Sequence, residues 1–193
     1  VCDADPRFER RVLVADRDVQ LAQRTVEMIA GENGTAIAHA ADLTDSAQCK
    51  ATVDAALARF GRLDFLDNNI GISSKGSVVD QPQAEWQRMM QINVETMFLM
   101  SKHAIPAMRR TAGKGAIVNI SSISALRPRG LTAYTTTKAA VIGLTRAMAV
   151  ELARQLYRAR PRLHADGLRT RHDCHSARDA ANIVATRRRG HRL

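Results

Sequence analysis

A chain of 193 residues, 45% of them hydrophobic and 25% charged, has the length for one hydrophobic core and the composition of an ordinary globular protein. No apolar run approaches the roughly 20 residues of a membrane span, and the first residues lack the basic-then-apolar plan of a secretory leader, so no membrane partner and a cytoplasmic address are expected. The net charge of +10 suggests nucleic acid until its distribution is read: residues 155–193 hold ten arginines against three aspartates, so +7 of it lies there, and with Tyr157 as the only aromatic for stacking no nucleic-acid partner is expected.

In chain order, Arg11–Ala15 is a short apolar run ending at Asp16, and helical spacing follows at Leu21, Val26 and Ile29. Strand and helix then repeat: Thr35–His39 and Asp45–Phe60, then Leu63–Asp67 and a turn at Asn68-Asn69-Ile70-Gly71. A long apolar stretch from about Ala84 to Met108, with Trp86, Met90, Val94, Phe98 and Met100, reads as helix, Ala116–Ile120 as a fully buried strand, and Thr132 to about Arg154 as helix. Alternation of this kind implies parallel pairing through right-handed crossovers, hence an α/β sheet protein. Cys2, Cys49 and Cys174 are too few and too scattered for a disulfide framework, and Cys49 reads as a packing residue. From Gln155 the periodicity fails, and 155–193 reads as an arginine-rich tail, disordered or non-native; arginine without lysine is the composition of a GC-rich gene read out of frame. Within it, His172-Asp173-Cys174-His175 lacks the spacing of metal ligands, and no metal is expected.

The residues that carry chemistry sit in the middle. Asn119-Ile120-Ser121-Ser122 precedes Tyr134 by twelve residues, counted from Ser122, and Lys138 follows Tyr134 at i+4. A phenol and an ammonium one helical turn apart share a face, and the cation stabilises the phenolate, which suits tyrosine to proton transfer. On a surface helix the same pair is usually incidental; order and spacing lift it above that reading.

Asp16, Asp42-Leu43, Asn68-Asn69-Ile70-Gly71, Asn93, Ser122 and Tyr134-x3-Lys138, in that order, resemble the classical short-chain dehydrogenase/reductase family over residues 11–154. The resemblance implies a Rossmann-like doubly wound parallel sheet and an NAD(P)-dependent enzyme moving hydride between nicotinamide and an alcohol or ketone. Its catalytic residues would be Asn93, Ser122, Tyr134 and Lys138, with Ser121 as the alternative serine. Its cofactor residues would be Asp16, Asp42, Leu43, Asn69, Gly71, Tyr134 and Lys138. A carboxylate at Asp16 would favour NAD over NADP, tempered by Arg17. As simpler alternatives, Asp16 and Asp42 would each cap a helix. Family members form homodimers and homotetramers through the helices matching 84–108 and 132–154.

The family's glycine-rich phosphate loop has no counterpart here: Val1–Arg10 contains no glycine, and after Arg154 no Pro-Gly turn appears. The chain therefore reads as truncated at both ends, a partial dinucleotide-binding domain over 1–154. In the family the first strand lies between those matching 11–15 and 63–67, whose facing edges would here lack a partner. Two readings stay open: an oxidoreductase with an incomplete cofactor site, or an inactive homologue serving only as an oligomerisation partner.

Overall fold

Burial of apolar side chains at alternating and helical periods produces the expected succession of elements. The computed structural model describes residues 8–128, 130–156 and 182–189. They form five strands, β1 (Phe8–Asp16), β2 (Thr35–Ala40), β3 (Phe65–Asn68), β4 (Ala116–Asn119) and β5 (Asn182–Arg189), and five helices, α1 (Val19–Gly31), α2 (Ser46–Phe60), α3 (Gln83–Met90), α4 (Thr96–Ala112) and α5 (Thr132–Leu156). A π turn over Gln91–Glu95 joins α3 to α4. The class is α/β. Tertiary contacts divide the described residues into two compact units, one made of 8–68, 99–117 and 182–189, the other of 69–98 and 118–156.

In the first unit, β1 and β2 run parallel from Arg11↔Thr35 to Asp16↔Ala40. Connecting them, α1 starts at Asp18, whose carboxylate accepts from the Gln20 N–H at 2.9 Å. Its exit needs a glycine: a Cβ on Gly34 would stand 2.5 Å from Ile29 Cγ2, and the Gly34 N–H closes onto the Ile29 carbonyl at 2.9 Å. Asp45 caps α2 by accepting from Ala47 N and Gln48 N, and Gly61, at φ 78°, ends it. The core here is Val12, Val14 and Ala22 with Val26, Ile29, Ala36 and Ala38 packed against them, and Leu13 and Leu66 are fully buried.

Sheet order is β2-β1-β5-β3-β4, which corrects two expectations. Residues 182–189, placed in a disordered tail, form a strand between β1 and β3. It runs antiparallel to both, from Phe8↔Arg189 to Ala15↔Asn182 on one side and from Phe65↔Ala185 to Asp67↔Ile183 on the other. The physical reason is that buried edges recruit a partner, since unpaired main-chain groups cost as much as a lost hydrogen bond. The expected parallel pairing holds between β1 and β2, and β5 adds antiparallel pairs to the sheet. The second correction is β4, whose residues are exposed or half-buried rather than fully buried, because β4 lies at the end of the sheet. The remainder of the tail, with His172-Asp173-Cys174-His175, lies outside the described residues.

The second unit packs α5 against α3 and the π turn. Among the described residues no helix is long and apolar enough to cross a membrane.

Two measurements test this packing. Leu66→Ala removes a fully buried side chain and is expected to lower unfolding free energy by about 2–5 kcal/mol in urea titration. Cys49 is fully buried, and that burial, with the charges of Asp45 and Asp42, pushes its thiol up to about 11. Its alkylation by iodoacetamide at pH 8, followed by peptide mass spectrometry, is expected to run on the order of 100-fold slower than that of a free thiol.

Candidate functional site

Asn93 lies in the π turn, a geometry that recurs at functional sites because it breaks the regular backbone ladder. Asn93 is fully buried, and its carboxamide is committed on every side. Its Oδ1 accepts from the Ile72 N–H at 2.8 Å, and its Nδ2 donates to the Ile72 carbonyl at 2.9 Å and to Thr137 Oγ1 at 2.9 Å. Thr137 Oγ1 donates in turn to the Tyr134 carbonyl at 2.8 Å. One side chain thus ties the loop after β3 to the first turns of α5.

On α5, Lys138 is 4% exposed, a burial that an ammonium tolerates only with oxygen partners. Its Nζ donates to the Ile120 carbonyl at 2.9 Å, at the end of β4, and stands 5.9 Å from the centre of the Tyr134 ring. Gly71 borders the same ammonium: a Cβ there would lie 3.1 Å from Lys138 Nζ and 3.5 Å from Asn93 Oδ1. Tyr134, Asn93 and Gly71 are therefore gathered around Lys138.

The two serines differ. Ser121 Oγ donates to the Lys138 carbonyl at 2.7 Å, whereas Ser122 Oγ accepts from the Ser124 N–H at 3.2 Å, capping a single 3-10 turn at Ile123–Ala125. No hydrogen bond joins Ser122 to Tyr134 among the described residues. Before α5 the loop closes through two consecutive left-handed residues, Gly130 at φ 78° and Leu131 at φ 56°.

The remaining predicted residues lie in the first unit, apart from Asn69, which follows β3. Asp16 does not cap α1, a role Asp18 takes; its Oδ1 accepts from the Asp18 N–H at 2.8 Å, and burial pushes its pKa up against that bond. Asp42 does not cap α2. Its Oδ1 accepts from both the N–H and the hydroxyl of Thr44, at 3.0 and 2.7 Å, which holds its pKa down. Leu43 is 2% exposed, so what it can offer a ligand is its main chain. Asn68 is fully buried and donates to Ser101 Oγ at 3.3 Å.

Sequence reasoning missed Thr137, Ile72 and the Ile120 carbonyl. Thr137 carries a faint signal, lying beside Lys138 and at i+3 from Tyr134; the others act through main-chain atoms and leave none.

With this geometry in place, comparison with known proteins is direct. A family model described as short chain dehydrogenase matches residues 7–158, and the chain belongs to that family. A 3-alpha-(or 20-beta)-hydroxysteroid dehydrogenase of Mycobacterium tuberculosis is 44% identical over 114 residues, which are 58% of this chain and 43% of that protein. A cyclopentanol dehydrogenase of Comamonas testosteroni is 39% identical over 153 residues, 79% of this chain and 61% of the relative. Among solved structures, a 7 alpha-hydroxysteroid dehydrogenase complexed with NADH and 7-oxo glycochenodeoxycholic acid aligns at a TM-score of 0.69 and 31% identity, over 74% of this chain and 56% of that one. NAD+-bound xylitol dehydrogenase aligns at 0.71 and 28%, over 75% and 56%. The chain thus spans 43% to 61% of the length of the relatives named.

The residues present fit a nicotinamide dinucleotide at one end. Gly71 leaves open, beside Lys138, the space that a Cβ would fill. At the pyrophosphate end, the place between β1 and β3 is taken by β5, which runs antiparallel to both, so among the described residues no strand leads there into a glycine-rich turn.

Replacing Asn93 by leucine leaves the Ile72 main chain and Thr137 without their partner. The expected loss of stability is roughly 2–4 kcal/mol by thermal or urea unfolding, against about 1 kcal/mol for Thr137→Val.

Proposed function

We propose that the chain carries the proton-transfer centre of an NAD(P)-dependent oxidoreductase acting on small alcohols or ketones. The observation that supports this best is the convergence of Tyr134, a buried Lys138, Asn93 and Gly71 at the end of β4. A bound nicotinamide dinucleotide would supply or accept the hydride. Tyr134 would give its phenolic proton to a carbonyl oxygen in reduction and take one from the alcohol in oxidation. The fixed ammonium of Lys138 stabilises the phenolate electrostatically and would donate to the nicotinamide ribose hydroxyls. Ser122, whose hydroxyl hydrogen remains available to donate, would hold the substrate oxygen. Asn93, its carboxamide already engaged, would hold through its main chain a water that connects Lys138 to solvent.

In the first unit, Asp16 would accept from the adenosine ribose hydroxyls and favour NAD over NADP, with Asp42 and Leu43 beside the adenine; in the second, Asn69 and Gly71 would admit the cofactor close to the main chain. The names of the relatives set a reacting hydroxyl on a steroid, a cyclohexanecarboxylate or a cyclopentanol. Cyclic secondary alcohols are accordingly the substrate class we assign first, and the cytoplasm the address.

A homodimer or homotetramer is part of the same proposal, supported by a groove of about 900 Å³ lined by Trp86, Met90, Val94, Phe98 and Leu144, with Phe98 49% exposed. That surface, and an antiparallel β5 in the place between β1 and β3, also favour the second reading, an inactive chain that serves as an oligomerisation partner.

Turnover of NAD with cyclopentanol decides between them. If the centre is catalytic, Tyr134→Phe is expected to lower kcat by about 10²–10⁴-fold while nicotinamide fluorescence still reports NADH binding. An oligomerisation partner shows no turnover and no NADH binding, and the substitution leaves its association state unchanged.

A further inference from the structure

The place of β5 in the first unit carries an inference independent of the catalytic reading. β1 and β3 flank one strand-wide interval, and their inner residues are closed to solvent: Leu13, Val14, Ala15 and Leu66 have no exposed surface. Main-chain groups in such a place are satisfied by another backbone or not at all. The occupant, Asn182–Arg189, runs antiparallel although β1 and β2 are parallel, and pairs with eight residues of β1 but with only three of β3. It reaches this position from a distant part of the sequence, separated from the end of α5 by 25 residues. Its pairing centre, Ile183-Val184-Ala185, is a short apolar run without proline.

We infer that the interval between β1 and β3 is a strand-acceptor site, filled by the chain's own residues 182–189 and open to an extended apolar segment supplied as a separate peptide. Recognition is by main-chain hydrogen bonds to both neighbours, as in other cases of strand addition, and the requirement on the ligand is an extended apolar run that keeps its N–H groups. Direction is not dictated by the neighbours, because a β-strand can pair either way.

The test leaves folding intact by cutting the chain afterwards. A protease site inserted between Gly167 and Leu168 of the full-length protein is cleaved after purification, and fluorescein-labelled peptide 182–189 is added. Labelled peptide is expected to bind the cleaved protein saturably and to displace fragment 168–193. Uncleaved protein should bind it at least about tenfold more weakly, because a tethered occupant competes at millimolar effective concentration. The Val184→Pro peptide, lacking the central N–H, should bind neither. Hydrogen exchange of the intact chain supplies the second readout, with amides of 12–15, 65–67 and 183–185 expected to be protected together. Equal binding of native and proline peptides, or fast exchange at 183–185 beside protected 12–15, would overturn the inference. Since no cofactor enters the experiment, its failure leaves the oxidoreductase reading untouched.

Discussion

Asn93 has one carboxamide, and three neighbouring groups depend on it: both main-chain groups of Ile72 and the hydroxyl of Thr137. A regular α-helix through 83–112 would advance each residue by a fixed angle and bond each carbonyl to the fourth N–H along. The π turn inserts slack at this point, and the Thr96 N–H closes back onto the Gln91 carbonyl. Asn93 is thereby fixed between the loop after β3 and the start of α5. Gly71 lies one residue before Ile72, and Lys138 one residue after Thr137, so anchoring Ile72 and Thr137 to one amide sets the glycine against the ammonium.

A second constraint governs the first unit. Buried strands must be paired on both sides, and here pairing outranks composition. Residues 182–189 end in three arginines, a poor ending for a central strand by propensity, yet the ladder beside β1 extends to Phe8↔Arg189. The exchange has a chemical consequence. A parallel strand leaves the sheet at the end where β1 reaches Asp16, the end where a glycine-rich loop cradles phosphate; an antiparallel strand arrives there instead, with Asn182 opposite Ala15. The same site in the sheet can thus be structurally complete and still present different backbone groups at that end.

What the sequence made legible divides along this line. The strands and helices between residues 8 and 156 follow from local periodicity, because Val12, Val14, Val26 and Ile29 face the core they help to make. Aspartate caps were visible as a residue type but not in position: Asp18 and Asp45 cap the helices, while Asp16 and Asp42 fold their carboxylates onto neighbouring turns. β5 was hidden because its claim to be a strand is not local. Ile183, Val184 and Thr186 are β-branched, but the signal is short, and the decisive energy is the pairing that β1 and β3 offer. The candidate site was legible where side chains meet, at Tyr134, Lys138 and Asn93, and illegible where main-chain groups take part, at Ile72 and Ile120.

The choice between Ser121 and Ser122 shows how spacing and geometry combine. Ser121 stands thirteen residues before Tyr134 and Ser122 twelve. Separation along a chain fixes position only if the loop between is unstrained, and this loop is not: Leu131 adopts φ 56°, a conformation that costs a β-carbon-bearing residue about 1–2 kcal/mol. Ser121 meanwhile spends its only hydroxyl proton on the Lys138 carbonyl, bracing the helix that bears the ammonium. Ser122 accepts rather than donates in its contact with Ser124, so its hydroxyl proton is not spent there. One serine therefore holds the helix, and its neighbour holds the single turn that follows β4.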